Sequence, residues 1–144
     1  MTHRLVIASL AVLSFLMPAA PLLAHHSLAN YDTTTAVHVK GTVVEFQAIN
    51  PHSLIFVDEA RPDGTTRRWA IEGPSLLQFA RIGFTKDGLK PGDVVEACGY
   101  LQKDPAAWVL NGETLTMPDG HERSWGDYGV HKCFPEGHRD QHSK

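Results

Sequence analysis

Two adjacent histidines, His25 and His26, stand where an exported form of this chain would begin. Cleavage after Ala24 makes His25 the first residue, whose α-amine and imidazole can bind one metal ion together. His26 adds a second imidazole and a backbone amide. Nitrogen ligands of this kind suit Cu(II) best, ahead of Zn(II) and Ni(II). We therefore predict a copper-class metal site at His25 and His26, and the alternative is a short polar end that frays after cleavage.

His52 and Glu72 are the other predicted metal ligands. His52 follows Asn50 and Pro51 in a predicted turn, and loops held on a rigid β scaffold commonly carry binding residues. Glu72 ends the third predicted strand, where its carboxylate can bind metal or accept a hydrogen bond from a ligating histidine. The structural alternative stays open: Asn50 caps the turn, and His52 hydrogen-bonds to backbone.

The two cysteines, Cys98 and Cys133, predict one disulfide bond. In an exported protein such a pair tends to oxidise. Alternation along the predicted fourth strand turns Cys98 outward, and a C-terminal tail that folds back with Cys133 would cover it. The alternative is two buried free thiols. The tail also contains four widely spaced histidines, which do not have the spacing of a structural zinc site: His121, His131, His138 and His142.

The first 24 residues have the organisation of a secretory signal peptide. His3 and Arg4 precede a charge-free apolar run, Leu5–Met17, and prolines and a small residue at Ala24 follow. The run is shorter than the roughly 20 residues that a membrane-spanning helix needs. These features predict a periplasmic or secreted protein that is not embedded in the membrane after cleavage.

Composition and motifs narrow the function classes. The chain has 144 residues with 42% hydrophobic and 20% charged residues, which is typical of one globular domain. A net charge of −3 provides no basic surface for nucleic acid. The chain has no Gly-x-Ser-x-Gly elbow, no His-Glu-x-x-His pair and no Gly-rich phosphate loop. We therefore predict that the protein is not an enzyme, with a copper oxidase as the distant alternative.

The hydrophobic pattern predicts a mainly β domain over residues 25–120, a small OB-like five-stranded β-barrel with one short helix between strands 3 and 4. Apolar residues alternate over Val37–Val43 and then change phase at Val44, which predicts a β-bulge. The apolar run Ser53–Asp58 predicts a fully buried second strand. A small β-sandwich with one helix is the alternative.

The predicted helix follows Gly73 and Pro74, with Leu76, Phe79 and Ala80 on one face. Residues 121–144 then form a His-rich C-terminal extension, which the predicted disulfide tethers to the barrel. Three aromatic residues suggest that part of this extension packs on the barrel: Trp125, Tyr128 and Phe134.

Five short segments resemble a family of small exported bacterial proteins, the domain of unknown function 6152 family. They are His25-His26-Ser27, Lys40-Gly41-Thr42-Val43, Asn50-Pro51-His52, Trp69-Ala70-Ile71-Glu72-Gly73 and Leu89-Lys90-Pro91-Gly92-Asp93. The resemblance runs from about His25 to Gly120 and implies export and a small β domain, without an established activity. The tail after Gly120 does not resemble the family.

Two functional hypotheses follow. The leading one is an exported, non-enzymatic binding domain that holds Cu(II) or another small ligand through His25, His26 and His52, with Glu72 beside them. The alternative is a metal-free interaction module of the cell envelope that binds a protein or glycan partner. Metal titration of the correctly processed protein distinguishes the two.

Overall fold

Six β-strands and one short helix form the part of the chain that this computed structural model describes, residues 28–104, 106–126 and 133. A 3-10 turn at Leu28–Asn30 precedes the first strand. The strands are β1 (Tyr31–Gln47), β2 (Leu54–Ala60), β3 (Thr66–Glu72), β4 (Val94–Gln102), β5 (Val109–Thr116) and β6 (Glu122–Ser124), and the helix is α1 (Leu76–Arg81). Within the described residues, no helix is long and apolar enough to cross a membrane.

The strand pairings close into a barrel-like ring in the order β1-β2-β3-β5-β4. β1 pairs antiparallel with both β2 and β4, and the β2–β3 and β4–β5 pairs are also antiparallel. A short parallel pairing of β3 with β5 completes the ring. This arrangement, with α1 between β3 and β4, confirms the predicted mainly β, OB-like class. β6, which the sequence did not predict, pairs with β5 outside the ring.

β1 has 17 residues and bends, so it pairs with both of its neighbours, β2 and β4. Its register with β2 shifts between Val43 and Glu45, so the bulge predicted at Val44 is confirmed. Gly41 lies where β1 passes close to β2, since a Cβ atom there would come within 2.7 Å of the Asp58 carbonyl oxygen. A side chain at this position would push the two strands apart.

β2 differs from the prediction of a fully buried strand. Ile55 and Val57 are completely buried, but Leu54 and Phe56 are partly exposed. The reason is that β2 belongs to a single ring, whose strands turn one face inward and the other outward, so its residues alternate. An apolar run alone does not show whether both faces of a strand are covered.

The helix inserts one side chain, Phe79, into the end of the ring. Phe79 is 1% exposed, and its ring centroid lies 4.6 Å from that of Phe84 and 5.2 Å from that of Trp125. Ala80, which was predicted to share a helix face with Phe79, is exposed. With only six residues, α1 presents a narrow stripe to the core. Its first turn is capped by the Ser75 side chain, which accepts a hydrogen bond from the Gln78 amide.

The sheet continues past residue 120, where the predicted β domain ends. β6 is followed by Trp125, which is 9% exposed and donates a 2.7 Å hydrogen bond from Nε1 to the Gly112 carbonyl. Trp125 thus packs on the barrel-like ring, as predicted. The predicted signal peptide, Tyr128, Phe134 and most of the predicted extension lie outside the described residues.

Candidate functional site

The loop before β2 and the end of β3 bring His52 and Glu72 together. Leu54 is the partner of Glu72 in the β2–β3 ladder, so His52 lies beside the last residue of β3. Ser53, which is fully buried, fastens the loop: its hydroxyl and its amide both donate to the Pro74 carbonyl, over 2.9 Å and 3.2 Å. The position of His52 is therefore set by a buried hydrogen-bonded neighbour.

The same loop is also tied to the helix. The Asn50 side-chain oxygen accepts a 3.2 Å hydrogen bond from the Leu76 amide at the first residue of α1. Asn50 thus bonds to the start of the helix in addition to the Ser75 cap, and the Asn50–Pro51 peptide bond is cis. The loop that carries His52 is held from both sides, by β3 and by α1.

Glu72 contacts two side chains at once. Its Oε1 lies against His52 Nδ1, and the Tyr31 hydroxyl donates to its Oε2 over 2.5 Å. The His52 and Glu72 side chains are 37% and 23% exposed, so this pair of side chains is accessible but partly shielded from water. Burial raises the pKa of Tyr31 well above its usual value, and the hydrogen bond to Glu72 adds to the shift. The hydroxyl thus stays protonated at neutral pH and remains a donor.

A cleft of about 370 Å³ opens beside His52. Asn111 and Glu113 on β5 form part of its wall, and Asn111 is the register partner of Glu72 in the parallel β3–β5 pairing. Asn111 Nδ2 donates a long 3.5 Å hydrogen bond to Glu113 Oε1. Burial raises the pKa of Glu113. The cleft therefore combines an imidazole, an amide and a poorly hydrated carboxyl group.

Of the four predicted metal ligands, the structure describes His52 and Glu72 and places them in contact. His25 and His26 lie outside the described residues. Among residues 28–104, 106–126 and 133, no group of three or more His, Cys, Asp or Glu side chains could hold a metal ion. Of the tail histidines, His121 is exposed beside β6, and the other three lie outside the described residues.

The predicted disulfide between Cys98 and Cys133 is present. The two Cα atoms are 5.6 Å apart. Cys98 faces His38 across the β1–β4 pair and Thr114 across the β4–β5 pair, and it is only 2% exposed. The bonded Cys133 helps to explain why a residue predicted to point away from the ring interior is buried.

Three residues of this region were not predicted as site residues: Tyr31, Asn111 and Glu113. Tyr31 precedes the alternating stretch from which β1 was predicted. Asn111 reaches Glu72 only through the β3–β5 pairing, whose register no local pattern shows. The available signal was the position of Tyr31, a single aromatic residue shortly after His25 and His26.

Comparison with known proteins gives one family. No curated protein matches the chain. The model of a family of unknown function, DUF6152, matches residues 11–111, a segment that contains all four predicted metal ligands and Tyr31. The match ends before Cys133, so one half of the disulfide lies beyond it. The chain belongs to this family of unknown function.

Proposed function

We propose that the protein is an exported domain that binds a copper-class metal ion through His25, His26 and His52. The observation that carries the proposal is the contact between His52 Nδ1 and Glu72 Oε1. A metal-binding histidine commonly donates one ring N–H to a carboxylate, which fixes its tautomer and its orientation. Glu72 would hold Nδ1 in this way, and Nε2 would be the nitrogen that binds the metal.

The chain length allows the amino-terminal histidines to approach His52. Tyr31 touches the same carboxylate as His52, and His26 precedes Tyr31 by five residues. Five extended residues span at most about 18 Å. An amino terminus at His25, one residue further along, would therefore be at most about 22 Å from Tyr31.

The ligand set favours Cu(II) over harder metal ions. An α-amine has a pKa of about 8, so a metal displaces its proton readily at neutral pH. Together with the imidazoles of His25, His26 and His52 it would supply a nitrogen-rich site, for which Cu(II) stands highest among divalent first-row metals. Calcium and magnesium prefer oxygen ligands.

Export is part of the proposal because the site needs a free amine at His25. The signal-peptide pattern supports cleavage after Ala24. The Cys98–Cys133 bond supports the same location, since disulfides persist in the periplasm and outside the cell.

The test is a Cu(II) titration of protein whose first residue is His25, verified by intact mass. Adding one glycine before His25 converts the amine to an amide, and His52→Ala removes the third imidazole. We expect each change to weaken Cu(II) binding more than about tenfold, with the thermal midpoint nearly unchanged. His38→Ala is the matched control, because His38 also faces a carboxylate, that of Glu96 at 3.5 Å, on another strand pair.

Three results would contradict the proposal: no stoichiometric Cu(II) binding, equal binding by the extended protein, or an equal loss in His38→Ala. If His52→Ala unfolds the domain, His52 has the structural role that the sequence left open.

A second candidate, the metal-free interaction module, is favoured by one exposed aromatic residue. Trp108 is 40% exposed, and the Arg67 guanidinium lies 3.6 Å from its ring centroid. Tryptophan and arginine are enriched at the energetic centres of interfaces. The test is co-sedimentation of the protein with isolated cell-envelope fragments. If the interaction-module hypothesis is correct, the wild type will co-sediment, Trp108→Ala will not, and added Cu(II) will not change the wild-type result. Equal co-sedimentation of the wild type and Trp108→Ala argues against the interaction-module hypothesis.

A further inference from the structure

We infer that Tyr31 is a positioning residue for His52 and acts on it through Glu72. This role rests on the proposed function, in which His52 is a ligand. The two oxygens of Glu72 are divided between two chain segments: Oε2 accepts from the Tyr31 hydroxyl at 2.5 Å, and Oε1 contacts His52 Nδ1. Tyr31 begins β1, and His52 precedes β2, so one carboxylate joins two segments that are separated along the chain.

The Tyr31 hydroxyl removes the main freedom of the Glu72 side chain. The terminal torsion of a glutamate is broad, so a carboxylate held at one oxygen can turn away from its partner. Hydrogen bonds from a hydroxyl to a carboxylate are short and about twice as strong as neutral ones. With Oε2 held by Tyr31, Oε1 stays directed at Nδ1. The Nδ1–H tautomer of His52 is then favoured, and Nε2 keeps its lone pair.

Tyr31 also lies where the amino-terminal segment joins the ring. Its main chain is paired with Gln102 at the end of β4, and the Lys103 amide donates to the Asn30 carbonyl over 2.9 Å. The Lys103 ammonium donates to the Ala29 carbonyl over 2.7 Å. The residue that orients Glu72 is thus itself anchored to the end of β4, so its hydroxyl is held in place relative to the Glu72 carboxylate.

The first experiment uses metal-free protein and nitrogen-15 NMR of the His52 ring at a pH where the ring is neutral. We expect the wild type to hold mainly the Nδ1–H tautomer and Tyr31→Phe to lose that majority. Tyr100→Phe is the control: it removes a hydroxyl from the tyrosine of β4, which is 4% exposed, and should leave the His52 tautomer unchanged. An unchanged tautomer in Tyr31→Phe, or an equal loss in Tyr100→Phe, overturns the inference.

The second experiment measures Cu(II) affinity. Loss of the carboxylate that contacts a ligating histidine typically costs about 10- to 100-fold in metal affinity. Because Tyr31 acts one contact further away, we expect Tyr31→Phe to lose about tenfold, the lower end of that range. Because Tyr31 acts through Glu72, the double variant Tyr31→Phe/Glu72→Gln should bind no more weakly than Glu72→Gln alone. Losses that multiply overturn the inference.

The two experiments separate the inference from the proposed function. If the wild type does not bind Cu(II), the proposed function fails, and the tautomer comparison still decides the role of Tyr31. If Tyr31→Phe does not fold, the deciding measurement is the Tyr31 hydroxyl proton in the wild type. A slowly exchanging proton close to Glu72 supports the inference, and its absence overturns it.

Discussion

Breaking the Cys98–Cys133 bridge is expected to lower the free energy of unfolding by about 3–4 kcal/mol. The bridge joins positions 35 residues apart. A cross-link that closes a loop of that length removes loop entropy from the unfolded chain worth about 3.8 kcal/mol at 25 °C. In a domain of this size such a loss lowers the thermal midpoint by roughly 10–20 °C.

The cleanest assay compares oxidised and reduced wild-type protein by urea unfolding. Replacing both cysteines by alanine adds a packing cost, because Cys98 and Cys133 are 2% and 9% exposed. Reduction breaks the bond without removing the side chains. The Cys98→Ala/Cys133→Ala variant then serves as the control, since reductant should leave its unfolding midpoint unchanged.

Two results would refute this reasoning. One is a reduced wild type whose midpoint equals that of the oxidised protein, which would show that the bridge does not constrain the unfolded chain. The other is a count of two free thiols per chain in denatured, unreduced protein taken from an oxidising compartment.

Three further predictions concern the ring and the cleft. Gly99→Ala should destabilise the fold by about 3 kcal/mol or more in urea unfolding, because a Cβ atom there would lie 2.0 Å from the Asn111 carbonyl oxygen; a loss below about 1 kcal/mol would contradict the close approach of these strands. Phe79→Ala should cost about 3–5 kcal/mol by the same assay, and a cost typical of a surface residue would place Phe79 outside the core. Burial raises the folded-state pKa of Glu113 above its unfolded value, so this carboxyl destabilises the fold as pH rises through the interval between the two pKa values. Glu113→Gln should therefore be more stable than wild type at neutral pH, with the difference vanishing below the unfolded pKa. Equal stability at all pH values would contradict this assignment.

The architecture was predictable because its signals are local. The period-two alternation, the phase change at Val44 and the proline and glycine turns each lie within a few residues of what they determine. The errors arose where the answer depends on another part of the chain. Whether Phe56 is covered depends on what packs over β2, and the sequence of that strand does not contain that information.

The candidate site was predictable only in part, for the same reason. His52 and Glu72 could be linked because a hairpin joins β2 to β3, and short connections pair neighbouring strands. Tyr31 and Asn111 join them through pairings between distant segments, whose register depends on how the ring closes. The pairing of the disulfide was predictable because a chain with two cysteines allows only one intramolecular pairing.

The geometry of the candidate site depends on how the ring closes, because Glu72 lies in the pairing that closes it. The parallel pairing that closes the ring has only three residue pairs, and the last of them is Glu72 with Asn111. Gly112 permits this approach, because a Cβ atom there would lie 3.1 Å from the Glu72 carbonyl oxygen and 3.0 Å from the Trp125 ring. Any change that loosens the closure therefore moves the strand end that carries Glu72, and with it the carboxylate that holds Tyr31 and His52. The candidate site lies at the β3–β5 pairing, where segments far apart in the chain meet. Its geometry therefore depends on completion of the fold.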